Sequence, residues 1–448
     1  MNQDQIRLLE YHRSRLLSHR ILERHFGISH DLIHSISVKE LVDIGELPGM
    51  LVTWHVKLKE GSEKLVSTWF SSETRESMHD RTAELSGQLL WENIDDLNML
   101  FQKTILSGEH GRVAFVHGSS ALLHSINKTT KGKEETTNQH FVFHTPKTRI
   151  RAKIYSDTQK GHKEARMVSR LASAKIHPAI VGSLDLIGLD GRSTGTLALF
   201  STELAGVKNL DLLTGQIYSR FVQGEITESE CLDGLKKYVQ LAVPALARMH
   251  SVLNTQGMSS SECELHFRRI KESFAQKISR HAIRRLKLSS DRKATIDCFL
   301  DRILRKSGAS WIHGDIWWRQ FIIDEEKNIF IIDFEDAQIS FLAYDIGSWI
   351  SSILQQGEYY LKDLVGAQRI KVKGVVENLI AHLWNKLKSL EPYKRLSRVE
   401  VDLGRFLRSI HELDYLTTHQ PSETWLLEFI EGNCLEIVTR LELELMEI

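Results

Sequence analysis

Residues 311–336 read WIHGDIWWRQFIIDEEKNIFIIDFED, and this stretch decides how the whole chain is interpreted. Asp315 ends a His-Gly-Asp tripeptide that starts at His313, Gln320 follows five residues later, and Asp333 ends a second apolar run. The runs FIID and IFIIDF are rich in β-branched and aromatic residues and flank the polar segment EEKN, which predicts a β-hairpin. The stretch therefore combines a loop carboxylate with a hairpin that carries an amide and a second carboxylate.

The register of this hairpin can be predicted from its turn. If the turn is centred between positions 326 and 327, Gln320 is the cross-strand partner of Asp333, and antiparallel partners lie about 4.5–5.5 Å apart. An amide and a carboxylate supply the hard oxygen ligands that Mg²⁺ prefers. The spacing matches the protein-kinase catalytic loop H-R-D-x-x-x-x-N and its later metal-binding Asp, in which the first Asp acts as the base. The alternative is a chance His-Gly-Asp beside a buried hairpin.

The composition is that of an ordinary globular protein, with 42% apolar and 26% charged residues among 448. Lys and Arg together number 58, as do Asp and Glu, so the charge balance indicates neither a nucleic-acid nor a membrane partner. No apolar run has transmembrane length, and the first residues lack the apolar core of a signal peptide. Four widely separated cysteines without a C-x-x-C pair fit a reduced cytoplasm, so we expect a cytoplasmic protein of two or three subdomains.

Three regions follow one another along the chain. Residues 1–105 contain a helical opening, the strand-like pieces MLVTWHVKL and KLVSTWF, and a predicted helix over 83–105, which together indicate a separate N-terminal module. Residues 106–205 are rich in predicted strands and include a polar, turn-prone run, NKTTKGKEETTNQ, and a helix that begins near Gly161. Residues 206–448 are mainly helical apart from the hairpin. A β-rich lobe followed by a helical lobe with a short hairpin is the bilobal, α+β layout of protein kinases. The predicted strands of the second region are GRVAFVHG, SALLHSI, HFVFHT, TRIRAKIY, IVGSLDLIGL and TGTLALFSTEL.

A lysine and a glutamate of the strand-rich region are candidates for nucleotide binding. Lys153 lies in an alternating strand, RIRAKIY, and Glu164 shares the face of the following helix with Met167, Val168 and Leu171. A carboxylate on an apolar helix face needs a partner, and Lys153 is the natural one. The alternative is that Lys153 is a solvated edge-strand charge and that Glu164 is a first-turn carboxylate favoured by the helix dipole.

Further candidates depend on loops. The turn Thr136–Gln139 precedes the lysine strand, and its backbone N–H groups at Asn138 and Gln139 are candidates to cover phosphates, although it lacks a G-x-G-x-x-G pattern. The end of ALFSTELAG, from Glu203 to Ala205, is a candidate hinge that presents backbone groups to an adenine. Asp345 in AYDIGSWI either orients the catalytic loop or caps the next helix, and capping is the slightly favoured role. His250 in ALARMHSVL is predicted to be a packed helix histidine.

These motifs together resemble the aminoglycoside phosphotransferase (APH) and choline kinase superfamily. The resemblance rests on the motifs HGDxxxxQ, IIDFED and AYDIG. The superfamily usually has Asn where this chain has Gln320, and in this respect the chain resembles the maltokinase and glucosamine kinase branch. IRAKIY with its following helix, HPAIVGSLDLIG, TLALFSTEL and HELDYL also resemble segments of that branch. The resemblance implies an APH fold with an extra N-terminal cap subdomain over 1–105, a nucleotide-binding lobe over 106–205 and a helical lobe over 206–448.

The resemblance also implies the role of each site residue. Asp315 would be the catalytic base, Gln320 and Asp333 would bind Mg²⁺, and Lys153, steadied by Glu164, would hold the phosphates of ATP. The loop departs from the branch where the acceptor should lie, because Trp317, Trp318 and Arg319 replace its usual pattern, as does the sequence EDAQ after Phe334. The residues predicted as acceptor-binding candidates are His313, Trp317, Trp318, Arg319, Glu335, Glu412 and Asp414. At least one of the two tryptophans is expected to pack the loop instead. For Glu412 and Asp414, an ordinary position on a helix surface is an equal alternative.

Three functions remain open from the sequence. The first is an ATP-dependent phosphotransferase that acts on a hydroxyl of a small sugar or aminosugar. The second keeps the chemistry and changes the acceptor to an antibiotic, a biosynthetic intermediate or a peptide, as the Trp-Trp-Arg loop indicates. The third is a pseudokinase that binds nucleotide without turnover.

Overall fold

The computed structural model describes residues 13, 28–43, 50–70, 113–116, 128–131, 139–144, 149–155, 157–187, 193–254, 260–281, 285–307, 309–420 and 422–446. The chain forms two compact units: a strand-rich unit, Met1–Ala172 with Pro178–Leu204, and a helical unit, Ser173–His177 with Ala205–Ile448. The predicted helix over 83–105, the strand SALLHSI and most of the helical opening lie outside the described residues. The division into 1–105, 106–205 and 206–448 stays a prediction.

The strand-rich unit contains two antiparallel sheets. The first is a three-stranded meander of β1 (Ile33–Asp43), β2 (Met50–Leu58) and β3 (Glu63–Phe70), and it confirms the two strands predicted there while adding β1. The second sheet has the order β4-β8-β9-β7-β6-β5. Its strands are β4 (Val113–Val116), β5 (Lys128–Lys131), β6 (Gln139–His144), β7 (Arg149–Ile154), β8 (Ile180–Ile187) and β9 (Ser193–Thr202).

One local prediction for this unit was wrong. The polar run after residue 126 contains a strand, β5, whose residue Thr129 pairs with Phe143 of β6. Pairing with a neighbouring strand overrides the low strand propensity of its two lysines, and lysines are common on edge strands. The helix predicted to begin near Gly161 is present as α1, Thr158–Ser173, and the Asp157 carboxylate accepts hydrogen bonds from the backbone N–H groups of residues 159 and 160 at its start.

The helical unit has long helices joined to short strands. Its helices are α2 (Leu210–Val222), α3 (Glu228–Leu253), α4 (Ser260–His281), α5 (Ser290–Ser307), α6 (Leu342–Leu361), α7 (Gly366–Lys388), α8 (Arg398–His419) and α9 (Thr424–Met446). Its strands are β10 (Lys208–Asn209), β11 (Ser310–Ile312), β12 (Phe321–Ile323), β13 (Ile329–Ile331) and β14 (Gln338–Ser340). Among the described helices, none combines the length and apolarity needed to cross a bilayer.

The predicted hairpin is present as β12 and β13, but its predicted register was wrong by one residue. Phe321 pairs with Ile331, so Gln320 lies opposite Ile332, whose N–H donates to the Gln320 carbonyl at 3.0 Å. The turn has three residues instead of two, because Lys327 adopts a left-handed backbone with φ 67°. Type I turns followed by a left-handed residue are a common three-residue hairpin loop. Asp333 is therefore not the cross-strand partner of Gln320.

Two helices that carry site residues cross at very short range. Gly347 of α6 lies against the backbone of Gly404 and Arg405 in α8, and a side chain at either glycine would collide with the other helix. Only hydrogen in place of a side chain permits this approach. The crossing fixes α8 relative to α6 and so determines which α8 side chains reach the loop at 313–315.

Candidate active site

The loop from His313 to Asp315 is held through its backbone by a carboxylate. Asp345 is fully buried, and its two oxygens accept hydrogen bonds from the N–H groups of His313 (2.8 Å) and Gly314 (2.9 Å). Gly314 has φ 86°, and a Cβ there would collide with the carbonyl of Asp336. The tripeptide needs glycine at its centre for both reasons.

Asp345 orients the 313–315 loop, and the favoured prediction that it caps a helix was wrong. The N-cap of α6 is Phe341, and Asp345 lies inside the first turns of that helix. A third hydrogen bond, 2.8 Å long, joins Asp345 to Nε2 of His250, the packed helix histidine of α3. Burial alone would raise the pKa of Asp345, but the hydrogen bonds from the His250 side chain and the His313 backbone hold that pKa below its ordinary value.

His313 is a positioning group and not an acceptor ligand. Its side chain is completely buried, Nε2 lies 2.9 Å from the carbonyl of Ile332, and Nδ1 lies 3.3 Å from the N–H of Asp315. These partners fix the tautomer: Nε2–H donates to the carbonyl, and Nδ1 accepts from Asp315. The predicted acceptor role of His313 is therefore corrected, because both ring nitrogens are occupied inside the protein.

The predicted base, Asp315, lies between two arginines. Oδ1 is 2.7 Å from Nη2 of Arg408 on α8, and Oδ2 is 3.7 Å from Nη2 of Arg319. Both guanidinium groups lie 5.2 Å from the ring of Trp317, which is half-buried. Trp317 therefore stacks with both cations beside the carboxylate that is expected to meet the acceptor.

Arg408 is a site residue that the sequence analysis missed. Burial acts to lower the pKa of its guanidinium, but the surrounding acidic groups, Asp315 first and then Glu412, together outweigh burial and raise that pKa. Arg408 is therefore a permanent cation that is buried against the predicted base. No motif indicates this residue, because its contact with Asp315 depends on the crossing of α8 over α6.

Gln320 and Asp333 offer the oxygens that a magnesium ion requires. Gln320 is 2% exposed, and its Oε1 accepts no hydrogen bond from the described residues. A buried amide oxygen without a partner is costly and indicates a ligand. Asp333 follows β13 with a left-handed backbone, φ 72°, and a non-glycine residue in that conformation is often part of a functional site.

The carboxylate of Glu335, predicted as an acceptor-binding candidate, lies close to that of Asp333. Carboxylate oxygens of the two residues lie within 4.8 Å of each other. Two carboxylates at this distance suit a shared divalent cation, because the ion offsets their repulsion. The carboxylates of Asp333 and Glu335 and the buried amide of Gln320 are all oxygen donors of the kind that hard divalent cations prefer.

The predicted contact between Lys153 and Glu164 is present in the strand-rich unit. Lys153 Nζ lies 2.9 Å from Glu164 Oε2, and the two side chains are 14% and 2% exposed. The alternative of solvated edge-strand charges does not hold, because β7 lies between β6 and β9 and both side chains are largely buried. The lysine ammonium also lies 5.4 Å from the ring of Tyr155, which further restricts its position.

The remaining predicted residues occupy different environments. Trp318 is buried and meets Trp349 edge-on at 5.2 Å, so it packs the loop as expected for at least one of the two tryptophans, and its candidate acceptor role is corrected. Glu412 on α8 is buried and accepts a 2.6 Å hydrogen bond from Gln355. Burial raises the pKa of Glu412 against the opposing charge of Arg408. Asp414 is half-buried on the same helix.

The predicted nucleotide loops are only partly described. Asn138 lies outside the described residues, and Gln139 begins β6. The backbone N–H of Glu203 donates to the carbonyl of Arg149 at 2.9 Å, so that N–H is occupied within the strand-rich unit. Ala205 is exposed at the start of the helical unit's main segment.

Comparison with known proteins identifies the family of the chain. A family model described as "Phosphotransferase enzyme family" (APH) matches residues 131–369, which is more than half of the chain. The chain belongs to this family of ATP-dependent small-molecule phosphotransferases. The recognition of the APH and choline kinase superfamily from sequence and the predicted α+β, kinase-like fold are thereby confirmed. A search of curated proteins found no match.

Solved structures share the fold at low sequence identity. A glucosamine kinase in complex with glucosamine, ADP and inorganic phosphate has 13% identity and a TM-score of 0.54, with 95% of this chain and 98% of that chain covered. Its crystal form A has 15% identity and a TM-score of 0.52, covering 95% and 97%. A choline kinase from Streptococcus pneumoniae covers 71% of this chain and 95% of its own, with 9% identity and a TM-score of 0.42. At these identities the likeness shows the fold alone.

Proposed function

We propose that this protein transfers the γ-phosphate of ATP to a hydroxyl group of a small sugar or aminosugar. The observation that carries the proposal is the loop at 313–315, in which Asp345 and His313 bind the backbone and Arg408 binds the Asp315 carboxylate. The choice of acceptor rests on the motif resemblance and on a glucosamine kinase structure that matches nearly the whole length of both chains.

Asp315 is assigned the role of base. As the acceptor oxygen forms its bond to the γ-phosphorus, Asp315 takes the hydroxyl proton, the bond to the bridging β–γ oxygen breaks, and ADP leaves. Catalysis of this kind depends mainly on positioning, because the protein itself forms no covalent bond. The hydrogen bonds that fix the backbone of Asp315 supply this positioning.

Gln320, Asp333 and Glu335 are assigned to Mg²⁺. When bound, the ion neutralises charge on the transferring phosphate. Asp333 and Glu335 supply two negative charges, and Gln320 supplies the buried amide oxygen that lacks a protein partner. The oxygen-only donor set suits a hard divalent cation, and Mg²⁺ is chosen because it is the ion that kinase sites commonly bind through one or two carboxylates and the substrate phosphates.

Lys153 is assigned to the phosphates of ATP. Glu164 holds its ammonium group at 2.9 Å inside the strand-rich unit. A lysine that is fixed in this way offers a charge in one place and loses little conformational entropy when phosphate binds. The role is the one that the motif resemblance implies for this strand and helix.

The acceptor side is assigned to Trp317, Arg319, Glu412 and Asp414. Trp317 offers a ring for stacking on a sugar, and its Nε1 is buried without a hydrogen-bond partner among the described residues. An acceptor hydroxyl or carboxylate would satisfy this donor. The same Trp-Arg pair favours the second candidate, a kinase of an antibiotic or a biosynthetic intermediate, because flat or anionic acceptors also suit it.

The test is acceptor-dependent ADP release with Mg²⁺ and ATP, with Asp315→Asn as the matched blank. The panel contains maltose, glucose, glucosamine, N-acetylglucosamine, aminoglycosides and sugar acids. A signal with a sugar or aminosugar that is lost in the variant supports the proposal. A signal only with aminoglycosides or with sugar acids moves the assignment to another acceptor class, and ATP binding without any transfer would indicate a pseudokinase.

A further inference from the structure

A buried chain of hydrogen bonds leads away from the catalytic loop to a residue with no assigned role. Asp345, which binds the loop backbone, lies 2.8 Å from Nε2 of His250, and Nδ1 of the same ring lies 2.7 Å from the hydroxyl of Tyr393. All three side chains are almost completely buried. Tyr393 belongs to the short 3-10 helix Glu391–Tyr393, which joins α7 to α8.

The chemistry of the partners fixes the direction of each hydrogen bond. A carboxylate only accepts, so His250 Nε2–H donates to Asp345. In the neutral imidazole, Nδ1 then accepts from the Tyr393 hydroxyl. Burial raises the pKa of Tyr393 well above its ordinary value, so that hydroxyl keeps the proton that it donates.

The orientation of the Asp345 carboxylate determines how well the loop is held. One oxygen, Oδ1, accepts from Gly314, and the other, Oδ2, accepts from both His313 and His250. Rotation of this carboxylate would weaken both backbone hydrogen bonds together. A histidine with partners on both ring nitrogens has one ring orientation that satisfies both, whereas a histidine with one partner can tilt about it.

Tyr393 is itself well fixed. Its backbone N–H donates to the carbonyl of Leu390, and its carbonyl accepts from the N–H of Leu396. Its ring meets the imidazole of His250 edge-on, with 5.7 Å between the centroids and an interplanar angle of 80°. The hydroxyl therefore approaches His250 from a rigid turn.

We propose that Tyr393 is a positioning residue for catalysis: its hydroxyl fixes the ring of His250, which fixes the Asp345 carboxylate and through it the backbone of the 313–315 loop. The effect on turnover rests on the proposed function, in which Asp315 is the base. The effect on the loop itself does not depend on the acceptor or on any activity.

The experiment compares two identical substitutions at buried tyrosines. Tyr393→Phe removes the hydroxyl that contacts His250, and Tyr218→Phe removes a buried hydroxyl that has no hydrogen-bond partner among the described residues. Both keep the ring, so packing changes little. Hydrogen exchange of the peptide that contains the amides of residues 313 and 314 is measured by mass spectrometry, together with the urea midpoint of each variant.

The expected result is faster exchange at residues 313 and 314 in Tyr393→Phe, by about tenfold, which is the factor that one hydrogen bond of ordinary strength provides. Tyr218→Phe should leave this exchange unchanged. A merely structural role for Tyr393 would instead accelerate exchange throughout the helical unit in proportion to lost global stability. Unchanged exchange at the loop, or equal effects of the two variants, would overturn the proposal.

Two further measurements separate this proposal from the proposed function. In a His250→Gln background, Tyr393→Phe should add no further acceleration at residues 313 and 314, because Tyr393 acts through His250; an additive effect would contradict this order. Once an acceptor is found, Tyr393→Phe should lower kcat about tenfold with the KM for ATP unchanged. If exchange responds as expected and no acceptor is phosphorylated, Tyr393 keeps its role and the kinase assignment fails.

Discussion

The substitution Arg408→Gln tests whether Arg408 is the ion-pair partner of Asp315. The matched variant is Arg319→Gln, because both arginines approach the same carboxylate and differ in distance and burial. Arg408 lies 2.7 Å from Asp315 with 9% of its side chain exposed, whereas Arg319 lies 3.7 Å away with 58% exposed. Removing one partner of a buried pair costs about 3–5 kcal/mol, and exposed pairs contribute about 0–1 kcal/mol.

We therefore expect Arg408→Gln to lower the free energy of unfolding by about 3 kcal/mol and Arg319→Gln by less than about 1 kcal/mol. Urea unfolding followed by tryptophan fluorescence measures both values, with the slope compared to exclude a change in the denatured state. Turnover should fall on the order of 100-fold in Arg408→Gln, because Asp315 is no longer held in place.

A double-mutant cycle identifies the cause of the loss. In an Asp315→Asn background, Arg408→Gln should cost much less than in the wild-type protein, because the carboxylate that it leaves unpaired is already gone. Equal losses of stability in Arg408→Gln and Arg319→Gln, or an undiminished cost in the Asp315→Asn background, would refute the assigned ion pair.

Three further outcomes are expected. Glu164→Gln should raise the KM for ATP at least tenfold with little change in kcat, since the Lys153 ammonium loses its buried partner; an unchanged KM in steady-state kinetics would contradict the role of this pair. Gln320→Leu should raise the Mg²⁺ concentration needed for half-maximal activity, whereas Gln320→Asn, which keeps the amide oxygen, should raise it less; equal shifts would remove the amide from the metal site. The folded-state pKa of Asp345 lies below its ordinary value of 3.8, so the stability that Asp345 contributes should be fully present above pH 3.8 and be lost as pH falls through the folded pKa. Asp345→Asn should therefore flatten the acid limb of a plot of the free energy of unfolding against pH.

The candidate site could be predicted from sequence where its parts are local. The His-Gly-Asp loop, the two apolar runs and the lysine strand with its glutamate helix each depend on residues only a few positions apart, and the periodicities of strands and helices relate such residues directly. The contact between Lys153 and Glu164 is local in this sense and is present at 2.9 Å. The predicted hairpin is also present, and only its register was wrong.

The errors share a physical cause, which is that the environment of a side chain depends on distant elements. The left-handed Lys327 adds one residue to the hairpin turn and moves Gln320 opposite Ile332. Trp318 is one of two adjacent tryptophans in the loop, and only packing against Trp349 shows that it is buried. Asp is a residue type that often caps helices, yet the position of its helix makes Asp345 the acceptor of hydrogen bonds from the loop backbone.

The sequence by itself determined the family, the kinase-like order of strands and helices, and the identity of the residues that could act as base and metal ligands. These properties depend on motif spacing and on hydrophobic period, both of which lie within short windows of the chain. The tertiary structure alone decided which groups hold that base: Arg408 from α8, and Asp345 with His250 and Tyr393 behind it. The Arg408 contact follows from the crossing of α6 and α8 at Gly347 and Gly404, where the two backbones pack closely, and the His250 and Tyr393 contacts follow from elements that lie far from the loop in the sequence.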